Sequence, residues 1–132
     1  MGVFLSFDEA QQILYIRFEG LVTDSVLLSR YQQVREWIAD NGQHSSVTDF
    51  SDVTSFEVTS QGVDQLASNS PLVSDDFLRI VVAPQDVIFG MARMFEMLGS
   101  STRDKVYVVR TMAEAYRLLG KQSLDLHPLL EW

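Results

Sequence analysis

The side chains most able to do chemistry in this sequence are the carboxylates and hydroxyls between residues 49 and 60. Asp49, Asp52 and Glu57 lie close together there, and three carboxylates can bind a hard cation such as Ca²⁺. Their spacing does not match a calcium-binding loop, and the segment has no glycine at the turn that such a loop needs. The segment therefore predicts a solvated acidic loop and no metal site.

Motifs of the large enzyme classes are missing from the sequence. The two closest glycines are Gly90 and Gly99, so there is no Walker loop, no dinucleotide-binding glycine fingerprint and no Gly-x-Ser-x-Gly nucleophile elbow. His44 and His127 are the two histidines, and neither has a second histidine at metal-ligand spacing. We therefore expect a protein that is not an enzyme, with no catalytic residues, metal or cofactor.

Composition narrows the partners and the compartment. The chain has 132 residues, 46% of them hydrophobic, which predicts a single domain over residues 1–132. A net charge of -8 does not attract a nucleic-acid backbone. The absence of cysteine excludes disulfides and thiol chemistry, and no apolar run reaches the roughly 18 residues of a membrane span. We expect a cytoplasmic protein that binds neither nucleic acid nor membranes.

Hydrophobic periodicity predicts alternating strands and helices that position these residues. An opening hairpin over residues 3–7 and 13–18 is followed by three central strands over 47–50, 78–83 and 105–110. The spacing predicts helices over residues 24–39, 61–68, 85–98 and 111–119. The order ββαβαβαβα is typical of an α/β sandwich, in which a mixed sheet packs against helices. Residues 121–132 form an apolar tail that is expected to dock on this sandwich.

The segment after the third predicted strand resembles the signature of STAS domains, the sulphate transporter and anti-sigma factor antagonist family. In that family a strand that ends Asp-Leu-Ser is followed by Val, and four residues later by Asp-Ser-Ser-Gly at a helix start. The matching residues here are Asp49-Phe50-Ser51, Val53 and Glu57-Val58-Thr59-Ser60. The Arg-hydrophobic-Phe-x-x-x-Gly pattern of residues 93–99 and the element order are also similar, so the resemblance covers nearly the whole chain.

The resemblance implies a regulatory module that binds an anti-sigma or kinase-type protein through residues 52–60 and the helix after them. The family's phosphorylated serine corresponds to Thr59, which keeps the hydroxyl, while Val58 and Ser60 stand where the family has a serine and a glycine. The implied partner-binding residues are Asp49, Asp52, Glu57, Val58, Thr59 and Ser60.

Thr59 has two interpretations. A threonine at a helix start can cap the first turn, which stabilises a helix by about 1 kcal/mol without any signalling role. As the candidate phosphoacceptor, it would place a phosphate at the positive end of a helix dipole. That phosphate would add about 1.5 to 2 negative charges beside Asp52 and Glu57 and would switch an interface by repulsion.

The helix over residues 85–98 offers a second surface. A helical wheel places an apolar arc against the core: Val87, Ile88, Met91, Met94, Phe95 and Leu98. Phe89, Arg93 and Met97 fall on the opposite side, and these residue types are common at protein interfaces. We therefore expect these three to lie on the surface and to contact a partner or a second copy of the chain.

A rival function from another class is binding or sensing of a small apolar ligand. The residues between the sheet and the helix over 85–98 would open to admit a lipid-like or aromatic molecule. The chain has five methionines, and methionine repacks easily around a ligand. The sequence leaves both functions open.

Overall fold

A computed structural model describes residues 2–68, 77–98 and 106–131. Three residues named above lie outside these ranges: Gly99 of the pattern over residues 93–99, Lys105 of a predicted strand and Trp132 of the predicted tail. Within them the chain forms six strands and four helices: β1 (Gly2–Asp8), β2 (Ile13–Thr23), α1 (Asp24–Asn41), β3 (Ser45–Glu57), α2 (Ser60–Ala67), β4 (Arg79–Val82), α3 (Asp86–Leu98), β5 (Val106–Val109), α4 (Met112–Leu119) and β6 (His127–Glu131). The predicted α/β class and the alternation of strands with helices are confirmed.

All the strands of the described ranges belong to one mixed sheet with the order β5-β4-β3-β2-β1-β6. Strands β2 to β5 are parallel, and β1 is antiparallel to both of its neighbours. The prediction that residues 105–110 form a central strand is wrong, because β5 lies at the edge. Each βαβ crossover places the next strand one position further out, so the last parallel strand is the outermost, although helices cover its apolar residues.

Strands β2 and β3 extend well beyond their predicted ends. Residues 52–57, predicted as part of a loop, continue β3 and pair with residues 19–23 of β2. The register shifts between Arg17 and Glu19 and between Gly20 and Leu21 of β2, and each shift accommodates one extra residue of β3 while the two strands stay paired. Val53, Thr54 and Phe56 are β-branched or aromatic, the types that favour strands, and this signal was hidden by the hydroxyls around them.

Side chains that alternate along β2 build a core on each face of the sheet. Leu14, Ile16 and Phe18 are buried on the face covered by α1, α2 and α3, as the alternation predicts. Ile13 is buried on the other face with Ala115 of α4. Each fully buried side chain of this size stabilises the fold by about 1.5 to 3 kcal/mol, and the two cores together hold the sheet between helices.

Threonine caps and glycines set the helix ends. Thr23, Thr59 and Thr111 are the N-cap residues of α1, α2 and α4, and each side chain accepts a hydrogen bond from a first-turn backbone N–H. Gly42 and Gly120 follow α1 and α4 with φ of 90° and 70°, a backbone region that favours glycine. These boundaries match the predicted ones within two residues.

Helix α3 is rotated about its axis relative to the predicted arc. Ile88 and Phe95 are buried as expected, but Val87 and Leu98 are 63% and 52% exposed. Phe89, on the opposite side of Ile88 and Phe95 from Val87, is half-buried and packs against the core. The predicted centre of the buried arc is wrong because a helical wheel counts every apolar residue as equally buried, whereas Val87 and Leu98 are exposed.

The predicted docking tail forms strand β6, which pairs with the outer edge of β1. The buried carboxylate of Asp8, at the end of β1, binds both the turn that follows and the segment before β6. It accepts hydrogen bonds from Gln11 N at 2.9 Å, from Gln11 Nε2 at 2.6 Å and from Asp125 N at 2.8 Å. Backbone donors from Asp125 and Gln11 hold the pKa of Asp8 below its ordinary value of 3.8.

We expect Asp8→Asn to lower the melting temperature at neutral pH and to have little effect in acid. A carboxyl whose pKa is lowered by folding stabilises the folded state above its unfolded pKa, and this stabilisation disappears as the pH falls through the folded pKa. The difference in melting temperature between wild type and Asp8→Asn should therefore shrink below about pH 4. Glu9→Gln, at the exposed neighbour, is the control. An Asp8→Asn deficit that is equal at pH 7 and in acid would contradict this role of the charge.

Candidate functional site

Thr59 lies at the start of α2, as the sequence predicts, with its side chain exposed. Its Oγ1 accepts a hydrogen bond from Gly62 N at 3.0 Å, which satisfies one of the free donors of the first helical turn. The hydroxyl therefore caps the helix and faces solvent at the same time.

The carboxylate of Asp24 holds Thr59 from the start of a second helix. Asp24 is the first residue of α1, and its Oδ2 accepts the Thr59 hydroxyl at 2.6 Å while its Oδ1 accepts the Thr59 backbone N–H at 2.8 Å. We call this pair the Asp24–Thr59 clamp. It joins the amino ends of α1 and α2, which are 35 residues apart in sequence. The sequence identifies Asp24 only as the first residue of a predicted helix.

Gly62 makes room for the clamp. It is buried in the first turn of α2, and a methyl group built on its Cα would overlap the Asp24 carboxylate. A side chain at position 62 would therefore displace the Asp24 carboxylate from Thr59. The sequence does not show this role of Gly62, because a glycine inside a helix with ordinary backbone angles is not distinguished by its neighbours in the sequence.

The residues next to the clamp differ in exposure. Glu57 and Ser60 are exposed, and Glu57 Oε2 accepts a long hydrogen bond from Ser55 Oγ at 3.4 Å. Val58, which the resemblance assigns to the partner-binding segment, is buried in the core between sheet and helices. Val58 therefore anchors the segment, and Glu57, Thr59 and Ser60 are the positions that a partner can reach.

Asp49 lies inside the protein and is only 4% exposed. Its Oδ2 accepts the hydroxyl of Tyr15, and its Oδ1 accepts the backbone N–H and the hydroxyl of Ser51. Burial and the bond to this carboxylate raise the pKa of Tyr15. The expectation that Asp49 contacts a partner does not agree with this position, since a mid-strand carboxylate bound by three donors is a structural group.

Asp52 is exposed and belongs to a surface charge cluster on β2 and β3. Arg17 Nη1 lies 2.9 Å from Asp52 and 3.1 Å from Glu19, and its guanidinium stacks on the ring of Phe4 at 4.5 Å. The hydrogen bond to Asp52 raises the pKa of Arg17. Exposed pairs of this kind contribute about 0 to 1 kcal/mol each.

The carboxylates of Asp49, Asp52 and Glu57, for which the sequence predicts no metal site, do not converge. Asp49 points to Tyr15 and Ser51, Asp52 to Arg17, and Glu57 to solvent. Over the described ranges, no group of three or more histidine, cysteine, aspartate or glutamate side chains is arranged as metal ligands. Over the same ranges no helix is long and apolar enough to cross a membrane.

The three candidate interface residues of α3 have different surroundings. Arg93 and Met97 are exposed, and Arg93 pairs with Glu96 at 2.6 Å. Phe89 is half-buried, and the guanidinium of Arg110 covers its ring at 3.9 Å. The expected fully exposed Phe89 is therefore not found, and a contact of this face with a partner or second copy stays a prediction.

A second site is a cavity of about 100 Å³ between the sheet and helices α1, α2 and α3. Its walls are mostly apolar and include residues of β2, β3 and β4 as well as all three helices. Two charged side chains, Arg30 of α1 and Arg79 of β4, also line it. Sequence reasoning placed a ligand space between the sheet and this helix but did not connect it with the two arginines.

No protein-family model and no curated protein sequence matches this chain. The functional assignment therefore depends on the chain's own residues. Two features can act chemically: the Asp24–Thr59 clamp, with an exposed hydroxyl beside a carboxylate, and the cavity with its two guanidinium groups.

Proposed function

We propose that this protein is a non-enzymatic, cytoplasmic regulatory module that binds a protein partner at the start of α2 and is switched by phosphorylation of Thr59. The observation that carries the proposal is the Asp24–Thr59 clamp. The exposed residue Thr59 lies at a helix start, and its hydrogen bonds to Asp24 link α1 and α2; the resemblance to STAS domains matches this residue with the family's phosphoacceptor.

The clamp supplies the physical basis of the switch. A phosphate on Thr59 carries about 1.5 to 2 negative charges, and the Asp24 carboxylate lies 2.6 Å from the oxygen that would bear it. Two anions at that distance repel strongly, so Asp24 would have to leave Thr59. Phosphorylation would then break the link between α1 and α2 and add charge beside Glu57.

The resemblance to STAS domains supports a partner of the anti-sigma or kinase type. The accessible part of the contact surface consists of Glu57, Thr59 and Ser60 together with the exposed face of α2. In this proposal the unmodified form binds the partner, and the phosphorylated form releases it.

We expect Thr59→Glu to reduce partner capture at least about tenfold, since a charge beside Asp24 copies part of the effect of a phosphate. Thr59→Ser should keep both the cap and the capture. Thr59→Ala should keep capture, because the bond from the backbone N–H of residue 59 to Asp24 remains and no charge is added, but it should lose about 1 kcal/mol of stability with the cap. The measurement is quantitative mass spectrometry of proteins retained from a lysate by each variant, with thermal melts of the same preparations.

Thr111→Glu is the matched control, because Thr111 is also an exposed N-cap residue, at the start of α4. It should retain the same proteins as wild type. If Thr59→Glu retains them equally well, or if Thr111→Glu loses them to the same degree, the start of α2 is not the switched surface.

A further inference from the structure

The cavity between the sheet and α1, α2 and α3 has walls of mostly apolar side chains. Five of the buried residues that line it are Ile16, Phe18, Val34, Val63 and Ile88. Protein interiors contain few spaces larger than a water molecule, and a space with apolar walls stays dry and binds apolar molecules. The cavity is therefore a candidate site for an apolar molecule.

The volume of the cavity limits the size of a ligand. An engineered apolar cavity of about 150 Å³ holds benzene, a ring of six carbon atoms. The cavity here measures about 100 Å³, and the same proportion gives a ligand of about four non-hydrogen atoms. The lipid-like or aromatic molecule expected from the sequence is larger than this space.

Two arginines in the wall are held by other residues of the chain. Arg30 Nη1 donates to Gln33 Oε1 at 2.6 Å. The guanidinium of Arg79 lies 5.9 Å from the ring centroid of Tyr31 and 5.8 Å from that of Phe95. Their positive charges repel a cation, and an anion that enters among apolar side chains loses its hydration. Neither effect opposes an uncharged molecule.

Parts of the cavity wall are accessible to solvent, so a ligand has a way in. Leu27, Leu66 and Met91 line the cavity and are half-buried. They belong to α1, α2 and α3 respectively, so each helix contributes a lining residue that solvent reaches. The Met91 side chain is unbranched and flexible, which allows it to move aside as a ligand enters.

We propose that this cavity binds a small uncharged apolar molecule of about four non-hydrogen atoms, such as a short branched hydrocarbon or a small thioether. Three observations support this class together: the buried apolar walls, the limited volume and the two guanidinium groups that other residues already hold. Thr59 is not among the described residues that line the cavity, so the proposal does not depend on the phosphorylation switch.

The test is an NMR titration of the full chain with isobutene, observed at the methyl groups of Val34, Val63 and Ile88. We expect saturable shifts with a dissociation constant of about a millimolar. Acetate and trimethylammonium are close to isobutene in size but carry a negative and a positive charge, and each should bind at least about tenfold more weakly. Benzene, which is larger than the space, should also bind at least about tenfold more weakly.

Variants change the space and leave the charges in place. Ala92→Leu adds volume to the cavity wall and should weaken isobutene binding at least about tenfold. Ala113→Leu, at an exposed alanine of α4 outside the described lining, should leave it unchanged. Leu66→Ala enlarges the cavity and should strengthen benzene binding about tenfold.

Four outcomes overturn the proposal. The first is the absence of saturable shifts with isobutene. The second is binding of either ion or of benzene by wild type as tight as that of isobutene. The third is equal isobutene binding by wild type and Ala92→Leu, and the fourth is no gain of benzene binding in Leu66→Ala.

Discussion

Asp49→Ala is expected to lower the free energy of unfolding by about 2 kcal/mol, although Asp49 belongs to the segment that resembles a partner-binding site. The loss has a specific source. With the carboxylate gone, the half-buried hydroxyl of Tyr15 and the backbone N–H of Ser51 lose their acceptor, and each partly buried donor left without a partner costs about 1 kcal/mol. Urea unfolding of wild type and variant measures the difference.

Two further variants show whether this loss comes from the buried bonds. Tyr15→Phe removes one donor and leaves the carboxylate, so it should cost about 1 kcal/mol. Asp52→Ala is the matched surface control, because Asp52 is an exposed aspartate three positions along the same strand and pairs with Arg17. It should cost less than about 1 kcal/mol. Equal and small losses for Asp49→Ala and Asp52→Ala would show that Asp49 has no structural role.

Gly62→Ala is expected to destabilise the protein by about 1 kcal/mol, the opposite of what helix propensity predicts. Alanine is favoured over glycine in a helix by about 1 kcal/mol, but a methyl at this position would overlap the Asp24 carboxylate. Forcing extra atoms into a packed site typically costs about 1 to 3 kcal/mol. The same urea unfolding experiment measures the change.

Gly90→Ala is the control for propensity, since a methyl on Gly90 of α3 would meet no atom within 4 Å. This variant should gain about 0.5 to 1 kcal/mol. In an Asp24→Ala background, Gly62→Ala should lose its penalty, because the group it overlaps has been removed. A penalty that persists without Asp24 would mean that Gly62 serves a purpose other than making room for the clamp.

The sequence predicts the elements of this fold better than their positions in the sheet. The period-two pattern of β2 and the apolar residues 80–82 of β4 identify both strands, and threonine and glycine mark three helix starts and two helix ends. An apolar strand sequence shows that both faces of the strand are covered, but an edge strand covered by helices has the same sequence pattern as a central strand. For this reason the sequence does not show that β5 lies at the edge of the sheet. Residues 52–57 form a strand because residues 19–23 of β2 pair with them. The sequence of residues 52–57 alone does not show that β2 is long enough to reach them.

The candidate site was predicted in part for the same reason. The position of Thr59 at a helix start follows from local sequence, because a cap acts within one turn. Its partner Asp24 is 35 residues away, and no local pattern reports which carboxylate reaches it. Arg30 and Arg79 likewise line one cavity only because α1 crosses the sheet, and no local sequence pattern shows this.

Strand β1 has both of its neighbouring strands only when β6, which follows it by more than a hundred residues, has paired with it. Asp8 and Asp125, which join the two regions, are 117 residues apart. While the chain is being synthesised from its amino end, the outer edge of β1 has no partner strand until β6 has emerged. An unpaired strand edge is a template for aggregation. How quickly a newly made chain closes this edge therefore affects how much of it reaches the folded state.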